Sequence, residues 1–253
     1  MTSLCKSDLH KTALRAQWIY AKGAYSVGSY VHIIKRGARG MNIVRDEADR
    51  WRFLSLLRYL NDDNVPRNWE REVTLQNIKN DFERPLHWQD PVPYVAVISY
   101  CLMDNHFHLL VKEDMEGGIS KFMHRLCTSM TSYHNAKYGE RGTLFQGAFA
   151  ARTVTNDRHL QYVSAYIQVK NPLERYEGGV RRAVREFDHA LEWILEDQFS
   201  SLGDFLGRRS SRLIDHALRQ ELFDTPQRFK SFARDVLEGR LDTQLGIERR
   251  LLD

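Results

Sequence analysis

The 253-residue sequence is poor in cysteine and in long apolar runs. Its three cysteines, Cys5, Cys101 and Cys127, lie far apart and form no C-x-x-C pair, which argues against a disulfide framework and indicates reduced thiols. No apolar stretch approaches the roughly 18 residues of a membrane span. The first twenty residues lack the apolar core of a signal peptide. We therefore expect a protein of the cytoplasm with no membrane partner.

Several common catalytic signatures are absent as well. The chain has no P-loop, no H-E-x-x-H pair and no nucleophile elbow. It has only 15 Gly and 6 Pro, and 42% of its residues are hydrophobic, which excludes a collagen-like or low-complexity chain and predicts a folded core.

The net charge of +4 is small, but the charge is unevenly distributed. Residues 1–45 carry eight Lys or Arg and one acid, and residues 119–172 carry seven and two. Residues 46–118 carry eight basic and fourteen acidic residues, and residues 173–253 carry fourteen and sixteen. This segregation would suit a polyanion bound on one side of the molecule.

Apolar patterning predicts an α+β fold. A β-branched strand at 29–34 precedes a helix that begins at Asp46 and Glu47, and two apolar runs around Asp104-Asn105 predict a hairpin. A helix from Ile119, a strand at 149–154 and a helix capped by Asp157 and ended by Asn171-Pro172 follow. This order predicts a ferredoxin-like βαββαβ core, an antiparallel sheet with helices on one face.

The same patterning divides the chain into segments. Residues 1–23 are predicted to form a basic arm, and residues 24–175 the core, with a polar, Pro-punctuated insertion at 61–93. Residues 176–253 are predicted to be a helical extension, in which Thr225-Pro226 opens one helix and Gly239 ends it.

Two histidines at the start of the second hairpin strand are candidate metal ligands. His106 and His108 lie two residues apart and would share one face of the strand, while Phe107, Leu109 and Val111 fill the other. Two imidazoles on a rigid strand can hold a divalent ion that polarises a phosphoryl oxygen. Histidines that merely alternate on a half-buried strand would look the same.

Tyrosine is a candidate nucleophile because it can form covalent intermediates. Tyr133, Tyr138, Tyr162 and Tyr166 all lie near the later helices. For each of them taken alone, core packing or surface stacking is the better explanation.

Four segments together resemble a known family. Their motifs and order resemble those of the HUH single-strand tyrosine transposases of insertion sequences. The segments are the opening YVHIIKRGARG, SYCLMDNHFHLLVK at 99–112, SYHNAKYGERGTLFQGAF at 132–149 and AYIQVKNP at 165–172. The branch that the chain most resembles is the REP-associated tyrosine transposases.

The resemblance implies an HUH nuclease that cleaves and rejoins single-stranded DNA at hairpin-flanked sites, in a prokaryotic, nucleoid-associated setting. It implies that Tyr166 attacks to form a 5′-phosphotyrosine link, and that His106 and His108 bind Mg²⁺ or Mn²⁺. The family places a third ligand, Asn or Gln, four residues after the tyrosine. That offset here is Lys170, with Asn171 one residue later. On an ideal α-helix Lys170 lies about 40° from Tyr166 and Asn171 about 140°. Pro172 can unwind the end of the helix and bring Asn171 round, so the expected third ligand is Asn171 or, at the matching offset, Lys170.

A second departure from the family pattern concerns the F-Q-G motif. In the family, Arg commonly follows this motif. Here Ala148 follows it, and Arg152 comes four residues later. Contacts to single-stranded or hairpin DNA are expected from residues in or near the two basic segments: Lys35, Arg36, Arg39, Lys121, Arg125, Lys137, Arg141, Gln146, Arg152 and Arg158.

Three functions are compatible with these features. The first is the DNA-cleaving and rejoining enzyme, acting as a monomer or a homodimer. The second is a domesticated DNA-hairpin-binding protein that is weakly active or inactive. A ferredoxin-like RNA-binding module is the third, but the sheet lacks the aromatic R/K-G-F-x-F motif of such modules.

Overall fold

The computed structural model describes residues 25–79 and 81–242. The predicted arm at 1–23 therefore lies outside the described residues. Four strands form one sheet in the order β2-β3-β1-β4, with every neighbouring pair antiparallel. The strands are β1 (Tyr30–Arg36), β2 (Val95–Leu102), β3 (His106–Glu113) and β4 (Ala150–Thr153). This order is that of a ferredoxin-like sheet and confirms the predicted fold class.

The two helices that connect these strands pack on one face of the sheet. Helix α1 (Glu47–Tyr59) begins after Asp46, whose carboxylate accepts a hydrogen bond from the Asp49 backbone N–H. Helix α4 (Gly118–Tyr138) ends at Gly139, which has a φ of 65°. Their apolar faces share a buried core with Phe107, Leu109 and Val111 of β3, as the alternation predicted.

The other face of the sheet is covered by the last part of the chain. Helix α5 (Asp157–Ala165) is capped by the Asn156 side chain rather than by Asp157, because the oxygen that accepts from the His159 N–H belongs to Asn156. It continues as a π-helical turn (Tyr166–Lys170) and a 3₁₀ turn (Pro172–Arg175).

Five further helices occupy the described part of the predicted extension. They are α6 (Gly179–Arg185), α7 (Phe187–Glu196), α8 (Leu202–Phe205), α9 (Ala217–Leu222) and α10 (Pro226–Glu238). Thr225 caps α10 and Gly239 ends it, as predicted. Residues from these helices share one buried core with α5, the π-turn and the histidine face of the sheet.

The insertion at 61–93 packs against the α1 side of the molecule. It contains two short helices, α2 (Trp69–Glu72) and α3 (Leu75–Lys79). Trp69 and Trp88 are buried, and the buried Asp62 pairs with Arg84. No helix in the described ranges is long and apolar enough to cross a membrane.

A buried carboxylate joins the start of α1 to the end of α4. Asp49 accepts hydrogen bonds from Lys137 Nζ at 2.6 Å, from Tyr138 Oη at 2.7 Å and from the Arg45 backbone N–H at 2.8 Å. Burial alone would raise the pKa of Asp49, but these donors lower it to about 2. The carboxylate therefore stabilises the folded state in its charged form.

We expect Asp49→Asn to reduce the free energy of unfolding at pH 7 by about 2 kcal/mol, measured by urea denaturation. The folded-state pKa is depressed, so the wild-type protein keeps this contribution above about pH 4 and loses it as the pH falls towards 2. The variant should lack that acid-dependent loss. Asp46→Asn is the matched control, because Asp46 is exposed and Asn also caps helices. Equal losses in both variants would contradict the assignment.

Candidate functional site

Two imidazoles stand side by side on the face of β3 that the C-terminal helices cover. The His106 and His108 rings have centroids 5.0 Å apart, and His108 is completely buried. In the antiparallel register of β3 with β1, His106 pairs with Arg36 and His108 pairs with Ile34. Since paired residues in an antiparallel ladder share a face, Arg36 lies beside the histidine pair.

Both imidazoles are held through their Nδ1 atoms. His106 Nδ1 lies 2.7 Å from Asn105 Oδ1, and His108 Nδ1 lies 3.0 Å from Nε2 of the buried His32 on β1. Asn105 Oδ1 can only accept a hydrogen bond, so the His106 Nδ1–H must donate it. This tautomer leaves a lone pair on His106 Nε2.

The Nε2 atom of His108 is buried and has no hydrogen-bond partner among the described residues. Burial, the neighbouring His32 and His106, and the positive charges of Arg36 and Lys170 together hold the pKa of His108 well below its usual value. The ring is therefore neutral near pH 7, and neutral imidazole is the form that can bind a metal.

Tyr166 faces this pair from the first residue of the π-turn. Its ring centroid is 6.5 Å from that of His108, and its ring stacks on Tyr162 at 6.2 Å. Lys170 Nζ donates a hydrogen bond to the Tyr166 hydroxyl at 3.0 Å and also pairs with Glu174 at 2.7 Å. Tyr166 has no exposed surface, so the hydroxyl is enclosed in this conformation.

The backbone that follows the tyrosine forms a π-turn. The Asn171 backbone N–H donates to the Tyr166 carbonyl at 3.2 Å, a bond from residue i+5 to residue i. Lys170, four residues after the tyrosine, still lies over the Tyr166 ring. Because the backbone is not α-helical here, the separation of about 140° between Asn171 and Tyr166 on an ideal α-helix does not apply.

The donors present suit a divalent ion in number and kind. Across residues 25–79 and 81–242, no group of three or more His, Cys, Asp or Glu side chains is arranged to hold a metal. The set expected here is instead two imidazoles and an amide oxygen. Asn171 is buried, and neither its Oδ1 nor its Nδ2 has a hydrogen-bond partner in the described part of the chain. A buried amide without partners is costly, which makes the Asn171 amide a candidate donor to an ion.

The predicted DNA-binding residues fall on different sides of the sheet. Arg36 and Arg152 lie on the histidine face, Arg152 opposite His32 in the β1–β4 ladder. Four others lie on the α1 and α4 side: Lys35, Lys121, Arg125 and Lys137. Three of these four cations are already bound by protein oxygens, Lys35 by the Gly147 carbonyl, Arg125 by Tyr94 and Lys137 by Asp49.

The remaining four candidates lie elsewhere on the surface. Gln146 is exposed beside the end of β1, where its backbone N–H donates to the Arg36 carbonyl. Arg158 stacks over the Phe232 ring of α10 at 4.4 Å. Arg39 and Arg141 are exposed.

His32 is part of the site, although the sequence patterns did not single it out. A lone histidine inside SYVHII resembles an ordinary core residue. It could have been found from the alternation of the strand. Residues 32, 34 and 36 share one face, and Arg36 was already a candidate.

Residues 68–170 match the model of a family described as "Transposase IS200 like". The match includes His106, His108 and Tyr166, so over this segment the chain is similar to insertion-sequence transposases, as the motifs indicated. No curated protein matches the chain significantly.

Solved structures that match include one of a REP-associated tyrosine transposase bound to a REP hairpin. It is 11% identical, the alignment covers 78% of this chain and 93% of that one, and the TM-score is 0.41. The narrower assignment to the REP-associated branch stays a prediction.

The burial of Tyr166 predicts its chemical reactivity. In the DNA-free protein, we expect N-acetylimidazole to modify the partly exposed Tyr30 at least tenfold faster than Tyr166, measured by peptide mass spectrometry. In urea, where both side chains are exposed, the two should react at similar rates. Equal rates in the native protein would show that the site is open at rest.

Proposed function

We propose that this chain, whose residues 68–170 match the IS200-like transposases, cleaves and rejoins single-stranded DNA through a covalent link to Tyr166. The observation that carries the proposal is the convergence of three parts on one face: the tyrosine, the pair of imidazoles, and the cations Arg36 and Lys170. Phosphoryl transfer needs a nucleophile and positive charge around the phosphate, and these parts supply both.

The reaction would proceed by exchange of one phosphate ester for another. The Tyr166 oxygen bonds to phosphorus, and the bond from phosphorus to the 3′ oxygen breaks. The phenolic proton passes to water, and the 3′ oxygen takes a proton to become a free hydroxyl. The 5′-phosphotyrosine link keeps the ester energy, so reversal of the same step rejoins DNA without ATP.

His106, His108 and Asn171 would hold Mg²⁺ or Mn²⁺ at this site. When bound, the ion supplies Lewis-acid polarisation of the phosphate. Imidazole ligands alone favour softer metals, so the choice of Mg²⁺ or Mn²⁺ comes from the resemblance to the family. The amide oxygen of Asn171 is the hardest donor of the three and the one best suited to either ion.

Lys170 would act on the phosphate rather than on the metal. Its ammonium group already contacts the Tyr166 hydroxyl, which is where an attacked phosphate must come. A protonated amine has no lone pair with which to bind a cation but can pair with a phosphate oxygen. We therefore assign the third-ligand role to Asn171 and a phosphate-binding role to Lys170.

The substrate class follows from the family and from the placement of charge. A tyrosine transposase of this type acts on single strands, and the matched solved structure was determined with a REP hairpin bound. We propose single-stranded DNA next to a hairpin as the substrate, in a prokaryotic cytoplasm where such DNA is found. Arg36 and Arg152 are the phosphate contacts best placed to guide the strand to Tyr166.

One observation favours a second candidate, a DNA-hairpin-binding protein without turnover. Tyr166 is completely buried and its hydroxyl is bound to Lys170, so no phosphate can reach it in this conformation. A descendant that retained the fold for binding alone would tolerate such a closed site.

A covalent-adduct assay separates the two candidates. We expect the protein to form a gel-stable adduct in Mn²⁺ with at least one member of a labelled hairpin library that carries randomised single-stranded flanks. Tyr166→Phe should abolish the adduct, because it removes the nucleophilic oxygen. His106→Ala should reduce its formation at least a hundredfold while DNA binding by filter retention is kept.

Tyr162→Phe is the matched control, since Tyr162 stacks on Tyr166 but its hydroxyl bonds to Asp242. It should still form the adduct. Tight library binding with no adduct from the wild-type protein would support the second candidate. An adduct that persists in Tyr166→Phe would refute the nucleophile assignment.

The placement of the cations predicts the salt dependence of binding. Arg36→Ala should weaken binding of a hairpin single strand three- to tenfold and reduce the slope of log K against log salt by about 1. Lys121→Ala removes an exposed cation from α4, on the other side of the sheet, and should leave the slope unchanged. A larger change for Lys121 than for Arg36 would place the strand on the α4 face instead.

A further inference from the structure

We propose that His32 is a positioning residue that keeps the proton of His108 on Nδ1 and so presents the lone pair of His108 Nε2 to the metal and phosphate. This inference rests on the proposed function. His32 is one strand away from the two histidines of the motif.

The contact between the two rings is short and buried. His32 Nε2 lies 3.0 Å from His108 Nδ1, and the ring planes are 20° apart with centroids at 5.3 Å. His32 has 2% of its surface exposed and His108 none. A hydrogen bond is stronger in such a buried setting than at the surface, so this one restrains the orientation of the His108 ring.

Proton placement decides what His108 can do. A neutral imidazole has one N–H and one lone pair, so only one of the two facing nitrogens carries the shared proton. If His108 donates from Nδ1, its buried Nε2 is left as a lone pair with no hydrogen-bond partner among the described residues, as a ligand atom would be. If His32 donates instead, the N–H of His108 lies on Nε2 and blocks coordination.

The neighbouring histidine supports the first arrangement. Asn105 Oδ1 accepts from His106 Nδ1–H, so the lone pair of His106 is on Nε2. Two ligands of one ion must both present lone pairs, and outer partners of metal-binding histidines generally impose this tautomer. Asn105 and His32 therefore perform the same task for adjacent rings, one as an amide and one as an imidazole.

The tautomer can be measured without metal or activity. In protein labelled with ¹⁵N at histidine, long-range ¹H–¹⁵N spectra should show His108 protonated on Nδ1 at pH 7.5. The His106→Ala and His108→Ala variants assign the signals. A wild-type His108 protonated on Nε2 would overturn the proposal, whether or not the protein cleaves DNA.

A second measurement tests the consequence for the metal. Mn²⁺ titrated into the DNA-free protein, followed by electron paramagnetic resonance, should bind 10- to 100-fold more weakly to His32→Phe than to wild type. His32→Gln, which retains an acceptor oxygen, should recover most of the loss. His134→Ala is the control, because His134 is equally buried but lies on α4, and it should bind Mn²⁺ as wild type does.

The two measurements distinguish failure of this inference from failure of the proposed function. Unchanged Mn²⁺ affinity in a folded His32→Phe variant, shown by circular dichroism, would refute the role of His32 while leaving the metal site intact. Absence of Mn²⁺ binding in the wild type would count against the metal in the proposed function, and the spectra would still decide the tautomer. If His32→Phe does not fold, the wild-type spectra together with His32→Gln decide the question.

Discussion

The antiparallel pairing of β1 with β3 is the interaction on which the site depends. These strands are the two central ones in the sheet, and their register sets Arg36 opposite His106 and Ile34 opposite His108. A shift of one residue would turn every side chain of one strand to the other face. The buried core of Phe107, Leu109 and Val111 opposes that shift, because it would remove these residues from their contacts with α1 and α4 and place the histidines in that apolar core. Packing on the α1 and α4 face of the sheet therefore determines which side chains lie together on the histidine face.

The tyrosine side of the site is held by a different set of buried polar contacts. Gln168, in the middle of the π-turn, donates to Ser164 Oγ at 2.9 Å and accepts from Ser201 Oγ at 3.2 Å. Ser201 Oγ in turn accepts from the Tyr100 backbone N–H of β2 at 3.0 Å. These bonds stabilise an otherwise unfavourable helical turn and connect it to the edge of the sheet. Residues beyond the core motifs thus position the tyrosine.

Much of the fold and part of the site could be predicted from the sequence. Strand alternation placed His106 and His108 on one face. The acidic pair Asp46-Glu47 and the Asp104-Asn105 turn marked the start of α1 and the turn of the hairpin correctly. The π-turn could not be predicted, because apolar periodicity does not distinguish i+4 from i+5 hydrogen bonding over five residues. Charge segregation grouped Lys35 with Arg36, although adjacent strand residues point to opposite faces. Which cations already bind carboxylates, as Lys137 does, depends on tertiary packing.

The complete burial of Tyr166 makes any reaction there subject to an opening equilibrium. If the open form amounts to about one molecule in a hundred, the apparent affinity for the strand at the site falls about a hundredfold relative to that form. Under the proposed function, a hairpin duplex bound elsewhere on the protein would offset this cost, because it would raise the effective concentration of its attached strand. Closure around a covalent intermediate would also exclude water from the phosphotyrosine ester. The enclosure that slows the first transfer would then favour rejoining over hydrolysis.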